Sequence, residues 1–158
     1  TARGLILTMH LDQVAMAARA DLLEGFLARG GRILFNGHVA RPILHGLHPF
    51  VPSGTGRLSD LALSRLAPHP IEEGVPIAAV QTRRGVAGFY GRGHNPPLPG
   101  AVAITGVGPD RAPLDWEWRH AGGGRFFSHA GNDLWTAADG AEAPPRIAAN
   151  ILAWLEGA

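Results

Sequence analysis

Three histidines lie where a protein of the α/β class would place its binding or catalytic groups. His10, His38 and His129 each follow a short apolar run that predicts a buried strand. In an open α/β sheet, ligands bind just outside the carboxyl ends of the parallel strands. We therefore expect the three imidazoles to face one rim of the sheet, where a neutral imidazole can accept a proton from a substrate.

Further polar and aromatic residues accompany these histidines. The candidate catalytic residues are His38, His129 and Asp133. The candidate ligand-binding residues are His10, Asp12, Asn36, Gly37, Ser128, Asn132 and Trp135. Such a rim could hydrogen-bond a polyol, transfer protons or hold a divalent metal ion, and Trp135 could stack on a sugar ring. The alternative is that these residues cap helices and hydrogen-bond loops, as Asp12 is suited to do.

A second histidine pair has a spacing that a metal ion could use. His45 and His48 are three residues apart, and His38 could supply a third ligand. Gly46 and Pro49 disfavour a helix there, and no carboxylate lies nearby, so the pattern falls short of a zinc signature. We expect no cofactor, with a divalent metal ion as the weaker alternative.

The elements that must position the rim begin with a strand, a helix and a strand. Apolar runs predict strands over 5–8 and 33–35, and helical spacing predicts one helix over 14–29. Asp12 could cap this helix, and Gly30 fits the left-handed position after its end. A βαβ unit of this kind places its two strands parallel.

The rest of the chain supplies short elements. The predicted ones are a strand or helical turn over 58–66, strands over 77–80 and 86–90, an antiparallel pair over 101–106 and 114–120, a last strand over 125–127, and a final helix from near 144–145. The predicted buried stripe of that helix is Ile147, Ile151, Leu152 and Leu155, with Trp154 also in the core.

Acidic residues in the middle of the chain receive no catalytic role. Glu117 should point away from Trp116 and Trp118, because side chains alternate along a strand. The two tryptophans are expected to pack in the core. Glu72 and Glu73 are expected to be an exposed pair in a turn.

Composition excludes several kinds of chemistry. The 158 residues, 46% of them hydrophobic, suffice for one domain over 1–158. The chain has no cysteine and no lysine, which excludes thiolate nucleophiles, disulfides, Schiff-base lysines and Walker-type phosphate loops. The formal charge is only +1 and the arginines are scattered, so we expect no nucleic-acid partner. No run approaches the roughly 18 apolar residues of a membrane span, so we expect no membrane partner and take the cytoplasm as the default location.

Four short motifs carry a resemblance to a known family. They are the helix end and turn over 26–31, the phrase His-Pro-Ile-Glu-Glu-Gly-Val over 69–75, the pair 102–103 with 116–118, and Gly-Arg-Phe-Phe over 124–127 followed by Gly131. The chain resembles the ThuA-like (trehalose-utilisation) branch of the class I glutamine amidotransferase-like superfamily. The resemblance implies a three-layer flavodoxin-like fold with a mostly parallel sheet and an antiparallel hairpin. It also implies a small polar ligand related to carbohydrate metabolism.

Departures from the family pattern limit this expectation. The turn where the amidotransferases carry a cysteine is Asn36-Gly37-His38, so glutaminase activity is not expected. Asn132 stands where family members tend to have a histidine. The family fold usually begins with a strand and helix ahead of the region matched by 5–8, so either the sheet lacks that strand or the chain is trimmed.

Two functions remain open at this stage. In the first, the rim binds a small polar metabolite; if it is catalytic, His38 or His129 is the general base and Asp12 or Asp133 orients it. In the second, the domain has lost its nucleophile and serves as a non-catalytic binding or assembly module. An exposed edge strand near 5–8 would then invite pairing with another chain, including a second copy.

Overall fold

A mixed six-stranded sheet organises the protein. The computed structural model describes residues 2–54, 56–138 and 146–157. The strands are β1 (Gly4–Leu7), β2 (Arg32–Asn36), β3 (Val51–Pro52), β4 (Leu63–Arg65), β5 (Thr82–Arg83), β6 (Val86–Ala87), β7 (Gly93–His94), β8 (Val102–Val107), β9 (Ala112–Arg119) and β10 (Arg125–His129). The helices are α1 (Gln13–Ala17), α2 (Ala20–Ala28), α3 (Ile77–Gln81) and α4 (Arg146–Glu156), with 3₁₀ turns at Leu58–Leu61, Pro70–Glu72 and Leu134–Ala138.

The strand order of the main sheet is β1-β2-β10-β9-β8-β4. Strands β1 and β10 run parallel to β2, whereas β10–β9, β9–β8 and β8–β4 are antiparallel contacts. The α/β class is therefore confirmed. The prediction of a mostly parallel sheet is wrong: among the described residues, two pairings of this sheet are parallel and three are antiparallel, because β10 and β4 extend the predicted hairpin on either side. Two short ribbons, β3–β7 and β5–β6, lie outside this sheet.

Both faces of the central strands are buried. Along β2, Ile33 and Phe35 belong to one hydrophobic cluster, which also holds Leu27 of α2. The residue between them, Leu34, belongs to a second cluster with Trp154 of α4. Strand side chains alternate between the two faces, so this alternation shows that apolar residues cover the sheet on both sides.

The predicted helix over 14–29 is two helices. Asp12 accepts hydrogen bonds from the backbone nitrogens of Val14 and Ala15 and so caps α1, as predicted. The chain leaves the helical conformation at Arg19 (φ −127°, ψ 24°) before α2 begins. Helix α1 has no fully buried residue among its five and packs on the core through partly buried Met16, so little packing holds it in line with α2.

Two other predictions need correction. Residues 77–80 are not a strand but the start of α3, and Pro76 precedes its first turn. Leu152 of α4 is exposed, and Trp154 occupies the buried stripe with Ile147 and Ile151. The predicted start of that helix near 144–145 lies outside the described residues. Over 58–66 the structure contains both alternatives, a 3₁₀ turn followed by β4.

Candidate functional site

The carboxyl ends of the three parallel strands meet at one rim, as the sequence predicts. Leu7 of β1 pairs with Phe35, and Asn36 of β2 pairs with His129 of β10. Beyond the strands, the Gly37 nitrogen donates to the His129 carbonyl oxygen (3.0 Å), and the Met9 nitrogen donates to Asp133 Oδ1 (2.8 Å). The rim thus brings together the segments 8–12, 36–38 and 129–135.

Several of the predicted binding residues are engaged in holding the rim loops. Asn36 is fully buried; its Nδ2 donates to the Leu7 carbonyl oxygen (3.2 Å) and its Oδ1 accepts from the Leu134 nitrogen (3.0 Å). Asp12 caps α1, and Asp133 Oδ1 accepts a hydrogen bond from the Met9 nitrogen. Because these polar atoms are already satisfied, a ligand would have to displace internal hydrogen bonds to use them.

Asn95 organises the rim and was missed by the sequence analysis. It is fully buried, and its Oδ1 accepts from the Val39 nitrogen at 2.9 Å. Its Nδ2 donates to the Gly37 carbonyl oxygen (2.9 Å) and to Ser128 Oγ (3.1 Å). The sequence signal was a single asparagine ahead of two prolines, which marks a loop but not the loop's partners. Ser128, a predicted ligand-binding residue, is therefore buried, and its hydroxyl oxygen already accepts a hydrogen bond from Asn95.

Only some of the predicted rim side chains are accessible to solvent. His10 and His38 are exposed, and Asn132 and Trp135 are half-buried. The His38 ring stacks on Phe50 with ring centroids 3.6 Å apart, which fixes its orientation. Partial burial, and then the proximity of His129, lower the pKa of His38, so its imidazole is mostly neutral at pH 7. A neutral, oriented imidazole can both donate and accept hydrogen bonds.

His129 is at the rim in sequence but its side chain is enclosed. Only 1% of the residue is exposed, and Nδ1 donates to Asp115 Oδ1 at 2.5 Å. The expected orienting partners, Asp12 and Asp133, were wrong for this histidine, because its side chain points along the sheet face toward β9. Among the described residues, Nε2 has no hydrogen-bond partner. A Cβ at Gly131 would lie 2.7 Å from Nε2 and 1.8 Å from the Tyr90 carbonyl oxygen, so these groups pack closely around the ring.

The pair His129–Asp115 belongs to a polar row that crosses the sheet. Its members are neighbours in register on five adjacent strands: Asn36, His129, Asp115, Thr105 and Arg65. Thr105 is hydrogen-bonded on both sides, donating to Glu72 Oε1 (2.7 Å) and accepting from Arg65 NH1 (2.9 Å). A polar row of this length on a buried face persists because its members are hydrogen-bonded, either to one another or to neighbouring backbone groups.

Glu72 contacts this row at Thr105 and Arg65. The expectation that Glu72 is exposed was therefore wrong. Glu72 is 7% exposed, forms an ion pair with Arg65, and accepts a hydrogen bond from Thr105 Oγ1. Burial and the nearby Asp115 raise the pKa of Glu72 to about 7, against the lowering effects of Arg65 and Thr105.

A second buried histidine–carboxylate pair, His69–Glu117, lies two residues further along β9. His69 Nδ1 accepts from the Ile71 nitrogen (3.2 Å), so the ring proton is on Nε2, which donates to Glu117 Oε2 (3.0 Å). Trp154 Nε1 donates to the same oxygen. Burial alone would raise the pKa of Glu117, but the hydrogen bonds from His69 and Trp154 and the charge of Arg125 outweigh it and lower that pKa to about 2. Glu117 points away from Trp116 and Trp118, as predicted, but into a buried face.

The described residues form neither a metal cluster nor a membrane-spanning helix. Over residues 2–54, 56–138 and 146–157, no three histidine, aspartate or glutamate side chains are grouped as a metal ion would require. Within those ranges, no helix has the length and apolar character needed to cross a membrane.

Comparison with known proteins adds no relative. No protein-family model, no curated protein and no solved structure matches the chain. The ThuA-like resemblance therefore stays a prediction from the motifs.

Proposed function

We propose that the chain is a ThuA-like domain of the class I amidotransferase-like type, with a three-layer flavodoxin-like architecture, that binds a small polar ligand at the strand-end rim. The observation that carries the proposal is the meeting of three parallel strand ends with exposed imidazoles of His10 and His38 beside them. Ligands of open α/β sheets occupy this position. The resemblance suggests a carbohydrate-related ligand.

The chemistry of the reachable groups suits a polyol. His38 is neutral near pH 7 and oriented by Phe50, so it can accept from one hydroxyl and donate to another. Half-buried Asn132 offers an amide, and half-buried Trp135 offers an aromatic surface to a sugar ring. We propose binding as the primary role; if a proton is transferred, His38 is the general base, because His129 is enclosed.

Isothermal titration calorimetry with a panel of sugars that includes trehalose, glucose and sorbitol tests the proposal. We expect at least one member to bind and His38→Gln to weaken that binding about tenfold, the effect of losing one well-placed hydrogen bond. His45→Gln is the matched control, because His45 is exposed and its backbone contacts Glu24, away from the rim. Equal loss of affinity in both variants, or no binding by any sugar, contradicts the proposal.

The second candidate, a non-catalytic assembly module, is favoured by a different observation. Among the described residues, β1 pairs only with β2, and Ile6 on this edge strand is 38% exposed. An unpaired strand edge with an exposed apolar side chain can pair with another chain. Light scattering over a concentration series distinguishes the two: a stable dimer that Ile6→Lys dissociates supports the module, whereas a monomer at all concentrations contradicts it.

A further inference from the structure

A pocket lies at the edge of the sheet opposite the rim. It has a volume of about 810 Å³ and is walled by the residue before β1, the end of α2, the start of β2 and the end of α4. Arg32 begins β2 and Asn36 ends it, so the pocket and the rim are separated by the length of that strand. Pockets that hold small ligands have volumes of roughly 300–1,000 Å³, and this one is in that range.

The charge of this pocket is strongly unbalanced. Three arginines line it, Arg3, Arg29 and Arg32, and the lining holds one acidic residue, Glu156. Arg125 is the register partner of Arg32 on β10 and adds a further positive charge behind it. Burial, and then the charge of Arg125, lower the pKa of Arg32, whereas the charge of Glu117 raises it.

The side chain of one of the three arginines is hydrogen-bonded within the protein. Arg32 donates to the Trp154 carbonyl oxygen at the end of α4, and its guanidinium lies 5.7 Å from the centre of the Trp154 ring. Arg3 and Arg29 have exposed side chains, and within the described residues neither forms an ion pair with a carboxylate. Both residues line the same pocket, so an anion bound there could accept hydrogen bonds from two arginines that have no carboxylate partner among the described residues.

We propose that this pocket binds a small molecule bearing a phosphate group. A phosphate monoester carries nearly two negative charges and three acceptor oxygens, which suits several guanidinium donors that approach from different segments. Phe26 and Leu155 supply apolar wall for the rest of the molecule. A Cβ at Gly30 would meet nothing within 4 Å, so the entrance beside it is open. The site is independent of the rim and does not rest on the function proposed there.

The test uses inorganic phosphate and pyrophosphate as probes, titrated at constant ionic strength and followed by ¹H–¹⁵N NMR. We expect saturable shifts of the Gly30 and Gly31 amides, with tighter binding of pyrophosphate. Arg3→Gln and Arg29→Gln should each weaken pyrophosphate binding about tenfold or more, the usual effect of losing one charged hydrogen bond. Both residues are exposed, so both variants should unfold at the wild-type temperature.

Arg19→Gln is the matched control, because Arg19 is exposed and precedes α2, at the far end from Arg29. It removes the same charge and should leave the affinity within about twofold, as expected for a distant exposed charge. Equal weakening in all three variants would show a general charge effect and overturn the proposal. Shifts that do not saturate, or that lie away from Gly30 and Gly31, would overturn it as well.

Discussion

At the scale of single residues, Asn95 holds the rim together more than any histidine does. It connects the loop after β2 to β10 through Val39, Gly37 and Ser128, all by buried hydrogen bonds. A buried polar group that loses its partner costs about 1–3 kcal/mol. The geometry of His38 therefore depends on a residue that a ligand need not touch.

The substitution Asn95→Ala tests this dependence. We expect it to lower the free energy of unfolding by about 3 kcal/mol, because several buried polar groups lose their hydrogen-bond partner at once. Urea denaturation provides the measurement. Asn132→Ala, at a half-buried position that has no such bonds to the described residues, should change the value by less than about 0.5 kcal/mol. Similar effects of the two substitutions would show that the Asn95 contacts are not required.

Two buried glutamates make opposite contributions to the pH dependence of stability. The pKa of Glu72 is raised to about 7, so the folded state binds its proton more tightly than the unfolded state does. Its contribution is present at low pH and is lost as the pH rises from about 4.5 to 7. The pKa of Glu117 is lowered to about 2, so its contribution is present above about pH 4.5 and is lost as the pH falls toward 2.

Stability measured from pH 2 to pH 8 separates the two groups. Relative to Glu72→Gln, the wild type should lose about 3 kcal/mol between pH 4.5 and 7. Relative to Glu117→Gln, it should lose about 3 kcal/mol between pH 4.5 and 2. Glu73→Gln, at the exposed neighbour, is the control and should follow the wild-type curve. A wild-type curve parallel to that of Glu72→Gln across neutral pH would show that Glu72 is ionised in the folded protein.

At the scale of elements, the close approach of β10 to the loop around Tyr90 encloses His129. A Cβ at Gly131 would lie 1.8 Å from the Tyr90 carbonyl oxygen, a backbone atom that cannot move without displacing its loop. Glycine is therefore required here by contact rather than by a left-handed conformation.

Gly131→Ala should destabilise the protein by about 2–4 kcal/mol, because the backbone must separate to admit the methyl group. Thermal and urea denaturation provide the measurement. Gly25→Ala is the opposite case: it lies inside α2, and its Cβ would meet only the flexible end of Arg29 at 3.3 Å. That variant should gain about 0.5–1 kcal/mol from helix propensity. Equal stability of Gly131→Ala and wild type would show that the loop accommodates the methyl group without cost.

The elements that the sequence predicted well are those with local signals. The strand before His10, the strand before His38, the cap at Asp12 and the antiparallel pair β8–β9 each depend on periodicity or turn residues near by. Residues 77–80 were predicted wrongly, because four apolar residues suit a buried strand and a helical turn equally.

At the scale of the whole molecule, the buried polar row could not be predicted from the sequence. Its members come from five strands, and their meeting depends on the register of four strand pairs. A shift of one residue in any pair would turn side chains to the other face. The same dependence explains why Asp115 was missed as the partner of His129 and why Glu72 was expected to be exposed. The sequence located the rim, because parallel strand ends share an edge, but not which rim side chains remain free.

The measurement that tests the central claim most directly is an ¹H–¹⁵N NMR titration of the full chain with trehalose, glucose and sorbitol. If the rim is the binding site, saturable shifts should cluster in the amides of residues 9–12, 37–39 and 131–136, and the His38 ring resonances should move with them. Amides at the opposite edge, such as Gly30 and Gly31, should remain unchanged. Shifts confined to other parts of the chain, or no saturable shift with any of the three ligands, would contradict a polyol site at the rim.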